Sequence, residues 1–149
     1  FSDASWGSER PNVAAVLCEY GTPFYWHSKR DSKTGASSAE QELSGVIKCS
    51  MEVMFAREVK AFLIGADLKA TNKSTPVCTD NRAVCMLSDG DGTTKRMKHA
   101  VRELAMLKEL VDAKSILMAW LPTDHCLADV LTKPMANTQF HSWRRLLVN

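Results

Sequence analysis

The sequence predicts an α/β fold in which a mixed five-stranded sheet is flanked by helices. Three observations carry that expectation. The chain opens on short β-prone segments separated by turn residues, which read as hairpins. A long helical pattern follows, and after it short apolar strands alternate with helices. Hairpins give antiparallel pairs, and strand–helix–strand units give parallel ones.

Taken in order, Phe1 to Trp6 reads as a strand end followed by a turn. Val13 to Tyr20 is apolar and β-prone, and Gly21-Thr22-Pro23 supplies turn chemistry. Phe24 to His27 is short and aromatic, the second strand of a hairpin. A polar loop runs from Arg30 to Ser38. Within it Ser37, with Glu40 three positions later, forms a capping-box pattern. A long helix is expected from there to about Ile64, with Leu43, Val46, Ile47, Met54, Phe55, Phe62 and Leu63 on roughly one stripe. Gly65 stands where a C-terminal cap belongs.

Thr75 to Thr79 reads as a short buried strand, and Asp80-Asn81 begins a helix to about Leu87. Asp89-Gly90-Asp91-Gly92 is a turn. A second long helix is expected over roughly Thr94 to Ala113, with Met97, Val101, Leu104 and Val111 on one face. Ser115 to Leu121 is an apolar strand stopped by Pro122. A helix over about His125 to Leu131 and a tail helix over Phe140 to Val148 complete the pattern.

The 149 residues fit one domain. The net charge of +2 excludes a grossly basic nucleic-acid binder but leaves room for a local basic face. Cys18, Cys49, Cys78, Cys85 and Cys126 are odd in number, scattered and without a CxxC, so free thiols in a reducing compartment are expected rather than disulfides or zinc. The longest apolar run, Ile116 to Leu121, is too short to span a membrane. Phe1 and Ser2 alone precede Asp3, whereas strands usually run about five or six residues. The first strand is therefore expected to be truncated, and the chain to be cut from a longer one.

Four carboxylates occupy suggestive places. Asp3 ends the first strand, Glu40 lies in the first turn of the long helix, Asp80 follows the fourth strand, and Asp129 lies on the helix after the fifth. Strand ends on one edge of an α/β sheet converge, so the four could share one site. Magnesium favours hard oxygen ligands, and two such ions about 4 Å apart can activate water and stabilise the leaving oxygen in phosphodiester hydrolysis. Each acid also has a structural reading: Asp3 as a turn residue, Glu40 as the partner of Ser37 in the capping box, Asp80 as an N-cap and Asp129 as a solvated helix residue. Glu42 competes with Glu40 for the inward role, and Asp89, Asp91 and Asp124 compete for the others.

Phe-Ser-Asp-Ala-Ser-Trp (1–6), Ala-Ser-Ser-Ala-Glu-Gln-Glu-Leu (36–43), Cys-Thr-Asp-Asn-Arg-Ala-Val (78–84), Lys-His (98–99) and Leu-Ala-Asp-Val-Leu-Thr-Lys-Pro (127–134) occur in this order. Together they closely resemble the ribonuclease H domain of copia-type LTR retrotransposon Pol polyproteins. The resemblance implies a ribonuclease H-like fold and an endonuclease that cuts the RNA strand of RNA–DNA hybrids during reverse transcription. It implies two magnesium ions, with manganese as a substitute. Asp3 would bridge them, Glu40 and Asp80 would hold one, and Asp129 would help hold the other; Glu42 would be a neighbour. It further implies the reverse transcriptase domain of the same polyprotein as a partner, and a cytoplasmic setting within virus-like particles.

Two departures stand out. Many ribonucleases H carry a mobile histidine in a long loop before the last acid, yet eight residues separate Trp120 from Asp129 here, leaving His125 as the candidate. Ala14-Ala15 stands where Ser-Gly is frequent. A catalytically inactive module that binds nucleic acid or polyprotein partners is the alternative within the fold.

Phosphate contacts are expected from Lys95, Arg96, Lys98, His99 and Arg102, and from Lys29, Arg30 and Lys33. Ser5 and Asn81, beside the acids, are candidates for sugar or phosphate. A hybrid would be recognised by shape and by the 2′-hydroxyls of its RNA strand. Trp6, Trp26 and Trp120 are expected in the core.

Overall fold

The computed structural model describes residues 1–5, 11–32, 37–67, 73–90 and 99–148. Strands β1 (Ser2–Ala4), β2 (Asn12–Glu19) and β3 (Thr22–Arg30) form an antiparallel sheet in that order. Helix α1 (Ser38–Ile64) follows. Strand β4 (Thr75–Thr79), helix α2 (Arg82–Ser88), helix α3 (Val101–Asp112) and strand β5 (Ile116–Trp120) come next, with β4 and β5 paired in parallel. Two 3-10 turns, Thr123–His125 and Asp129–Leu131, lead to helix α4 (Asn137–Leu147).

All five expected strands form, but as sheets of three and two strands rather than one of five. Strand β1 packs beside β4, and this contact is where the two sheets meet. Its three residues are already paired to β2 through Ser2↔Ala15, Asp3↔Ala14 and Ala4↔Val13. So short a strand has few backbone groups left for a second regular ladder. Two helix expectations are also corrected. Helix α3 starts at Val101 behind a non-helical Ala100, so it does not run unbroken from Thr94. The helix expected over 125–131 is instead the pair of 3-10 turns, because Cys126 adopts an extended ψ of 97° between them.

Local chemistry explains the elements that match. Ser37 caps α1 by accepting from the Glu40 N–H at 3.2 Å. Gly65 ends the helix in the left-handed region at φ 63°, where a Cβ would be strained. Between β2 and β3, Tyr20 and Gly21 have φ of 50° and 81°, the two-residue turn whose twist suits a hairpin. Pro23 is tolerated because β3 is an edge strand.

Strand β2 is apolar at successive positions because both its faces are covered. Ala15 and Leu17 face one core with Leu43, Val46 and Val53 of α1, Val77 of β4 and Leu107 of α3. Ala14 and Val16 face a second core with Cys126, Leu127, Ala128 and Leu147. Trp26 and Trp120, expected inside, are 43% and 41% exposed. Trp120 lies at the end of β5, under the Arg82 guanidinium at 3.9 Å from the ring centre. All five cysteines are free thiols. Among the described residues, no helix is long and apolar enough to cross a membrane.

One buried charge ties β3 to α1. Asp31 receives Lys48 at 2.7 Å, the Gln41 amide at 2.9 Å and the Ser44 hydroxyl at 2.8 Å. Removing one partner of a buried ion pair costs more than the pair itself contributes, since the remaining polar groups stay dehydrated. Asp31→Ala is therefore expected to lower unfolding free energy by about 3 kcal/mol. In urea melts this appears as a lower midpoint with an unchanged slope; a loss below about 1 kcal/mol would mean that the network is solvated.

Candidate active site

The contact between β1 and β4 sets the site. Asp3 in the middle of β1 is 0% exposed. Asp80 directly follows β4, and Asp129 opens the second 3-10 turn. One carboxylate oxygen from each of Asp3, Asp80 and Asp129 lies within 4.8 Å of the other two.

Asp80 is not the cap of α2. Asn81 takes that role, its side-chain oxygen accepting from the Val84 N–H at 3.3 Å. The Asp80 carboxylate instead accepts from the Thr123 hydroxyl at 2.8 Å, and its carbonyl accepts from the Trp120 indole N–H at 2.9 Å. Loop and strand end are thereby pinned behind the carboxylate.

Helix α1 carries two buried acids, Glu40 and Glu42, and it is Glu42 whose charge is coupled to Asp3 and Asp80. Burial, then the charges of Asp3 and Asp80, push the Glu42 carboxyl up to about 9, against the opposing effects of Lys133 and a hydrogen bond from the Ala4 backbone. Glu40 is held at the helix start by the Ser37 cap, and the two positions lie about 200° apart around the helix axis. The phase follows from close packing. A Cβ on Gly45, one turn after Glu42, would lie 3.3 Å from the Ser2 hydroxyl and 3.4 Å from the Asp3 carbonyl. The ridge bearing Glu42 and Gly45 therefore rests on β1. A sequence signal for it existed, since Val46 and Cys49, four and seven positions after Glu42, are buried core residues.

This packing makes Gly45 a test of the geometry. Gly45→Ala should be nearly neutral, because the contact tightens slightly while helix propensity improves by up to about 1 kcal/mol. Gly45→Leu should lift α1 from β1 and cost about 2–3 kcal/mol through overpacking. Thermal melts of both variants separate the cases. A Leu variant as stable as the Ala variant would mean that α1 does not seat on β1.

Two further residues were not singled out from the sequence, although they lie inside the quoted 127–134 segment. The buried Thr132 hydroxyl donates to Asp3 and also reaches the Asp129 carbonyl at 3.1 Å. The Lys133 ammonium pairs with Asp129 and lies 3.5 Å from Asp3. Burial by itself lowers the Lys133 pKa, but the bond to Asp129 and the charges of Asp3, Asp129 and Asp80 outweigh it and raise the value above the ordinary lysine range. Asp3 is likewise raised, chiefly by burial, with Thr132 and Lys133 opposing and Asp129 and Asp80 adding. Burial and the Asp3 charge push the Cys126 thiol up to about 12.

The donor set suits a hard divalent cation, being made of carboxylate oxygens. Asp3 Oδ1 is among the buried oxygens without a hydrogen-bond partner, as are one carboxylate oxygen each of Glu40 and Glu42. Buried acceptors are nearly always satisfied, and a bound ion is one of the usual reasons for an exception.

The expected nucleic-acid contacts are distributed less evenly. Ser5 accepts from the Asn12 N–H at 2.9 Å, and Asn81 caps α2. Both side-chain oxygens are thus engaged within the fold. His99 is exposed just before α3, while Lys95, Arg96, Lys98 and Lys33 lie outside the described residues. His125 is exposed and paired with Asp124 at 3.0 Å. Asp89 caps the C-terminus of α2, and Asp91 lies outside the described residues.

The arrangement of strands and helices is that of a ribonuclease H fold. The N-terminal ribonuclease H domain of a Mycobacterium tuberculosis protein, solved as a fusion with maltose-binding protein, superposes with a TM-score of 0.63 at 15% identity, over 97% of this chain and 93% of that one. No family model matches the sequence. The chain is homologous to a segment of retrovirus-related Pol polyproteins from transposons. It is 24% identical over 147 residues to that of transposon RE1 of Arabidopsis thaliana, covering 96% of this chain. It is 24% identical over 149 residues to that of transposon RE2 of the same plant, covering 97%. The chain spans about a tenth of the length of these relatives, 10% in each case.

Proposed function

We propose that this chain is an endonuclease that hydrolyses the RNA strand of RNA–DNA hybrids, as the ribonuclease H domain of a copia-type element. The observation that carries the reading is the convergence of Asp3, Asp80 and Asp129 within 4.8 Å on a ribonuclease H fold. These three and Glu42 would hold divalent cations, magnesium by preference and manganese as a substitute. When bound, the ions supply a polarised water and a counter-charge for the leaving oxygen.

The chain's own residues prepare the site. Thr132 holds one oxygen of Asp3 and Thr123 one of Asp80, which fixes the orientation of both carboxylates. The cores on both faces of β2 keep β1 and the ligand it carries rigid. His99 and Arg102 at the start of α3 are proposed to meet phosphates of the hybrid, and the remainder of the Pol polyprotein, including its reverse transcriptase, to deliver that substrate.

The test is incubation with a labelled RNA–DNA hybrid and magnesium, with duplex DNA and duplex RNA as controls. Cleavage of the RNA strand of the hybrid alone, abolished by chelation, is the expected result. Magnesium-dependent cleavage of all three duplexes, or of none, would overturn the reading.

A further inference from the structure

Lys133 stands among the acids without a stated role. It follows Asp129 by four residues, and the turn between them is rigid. The Thr132 and Lys133 N–H groups both donate to the Asp129 carbonyl at 3.1 Å, and the Thr132 hydroxyl reaches the same oxygen. This geometry carries the ammonium onto Asp129 and to within 3.5 Å of Asp3 Oδ1. That oxygen is among the buried acceptors lacking a hydrogen bond.

Resting on the metallonuclease reading, we propose that Lys133 is the site's internal counter-cation: its ammonium neutralises Asp3 and Asp129 in the metal-free protein, and a divalent ion must displace it to bind there. An ammonium and a divalent cation on the same carboxylate oxygens repel one another strongly in a partly buried site, so the two compete for them. The lysine can leave without disturbing the fold, since its side chain is 40% exposed and it sits on a flexible four-carbon stem. The metal concentration at which this position fills is then set by competition with the chain's own cation, and the empty site escapes the full repulsion among its acids.

The experiment is magnesium titration by calorimetry of the 149-residue chain and of Lys133→Met and Lys133→Arg, with thermal melts of each in chelator. Lys133→Met should bind magnesium about tenfold more tightly and should melt lower than the wild type when metal-free. Lys133→Arg should keep the wild-type melting point, as it keeps the charge. Unchanged or weaker magnesium affinity in Lys133→Met, with the wild type binding normally, would overturn the inference alone. No magnesium binding by the wild type would overturn it together with the metallonuclease reading. An unfolded Lys133→Met would still leave Lys133→Gln to be titrated, with the same tightening expected and the same reversal decisive.

Discussion

Glu42→Gln is expected to lower hybrid cleavage at least about a hundredfold, while Glu40→Gln keeps most of it. Even outer partners of metal ligands cost 10–100-fold when removed, and a neutral amide is a poor ligand for magnesium. Glu42 is the α1 acid whose charge is coupled to Asp3 and Asp80. Glu40 lies about 200° away on the same helix. Asp3→Asn and Asp80→Asn should match the Glu42 variant, because Asp3 and Asp80 belong to the group within 4.8 Å. Single-turnover cleavage at saturating magnesium measures the effect, and circular dichroism checks that the folds persist. An active Glu42→Gln beside an inactive Glu40→Gln would reverse the helix assignment.

The metal-free protein should become less stable as pH rises from about 4.5 to about 9, and magnesium should remove much of that loss. Glu42 moves from 4.5 to about 9 on folding, through burial first and through Asp3 and Asp80 second. Asp3 is raised from 3.8 as well, again chiefly by burial. Both groups bind a proton more tightly in the folded state than in the unfolded one. Between the two values the folded state therefore holds more protons, and stability falls with rising pH. Lys133 is also raised, but it is protonated in both states throughout this window, so its contribution stays constant there. Magnesium competes with those protons, so it should bind better at the alkaline end. At a hundredfold excess over its dissociation constant it adds about 2.7 kcal/mol. Thermal midpoints at pH 5 and 8.5, in chelator and in magnesium, test this, and Glu42→Gln should flatten the metal-free slope. A flat wild-type profile that magnesium does not shift would exclude a shared carboxylate site.

How much was legible from the sequence depends on the range of the interaction. Helix α1 was readable almost to the residue, because Ser37 and Gly65 act on backbone groups within one turn. Strand β2 was readable from its unbroken apolar run, and β4 and β5 from short apolar runs bounded by turn and breaker residues. The acids Asp3, Asp80 and Asp129 could be placed because Asp3 lies in a strand, Asp80 directly follows one and Asp129 lies in the segment that follows the last. The 3-10 turns around Cys126 were missed because the local pattern of 125–131 does not distinguish them from one short helix.

The sequence by itself determined most of the elements, their order and the three acids that converge, since these follow from caps, periodicity and position along the chain. Tertiary structure alone decided the rest. The coupling of Glu42, rather than Glu40, to Asp3 and Asp80 depends on the rotation of α1 about its axis, which the close seat of Gly45 on β1 sets. The pairing of Thr132 and Lys133 with Asp3 joins residues more than a hundred positions apart, at separations of 129 and 130. The Asp31 network and the division of five strands into two sheets likewise depend on which surfaces meet. The physical reason is common to all of these. Hydrogen bonds within a turn act between near neighbours and leave a mark in local sequence, whereas the packing of one element on another is fixed by the shapes of both, and neither segment carries the other's shape.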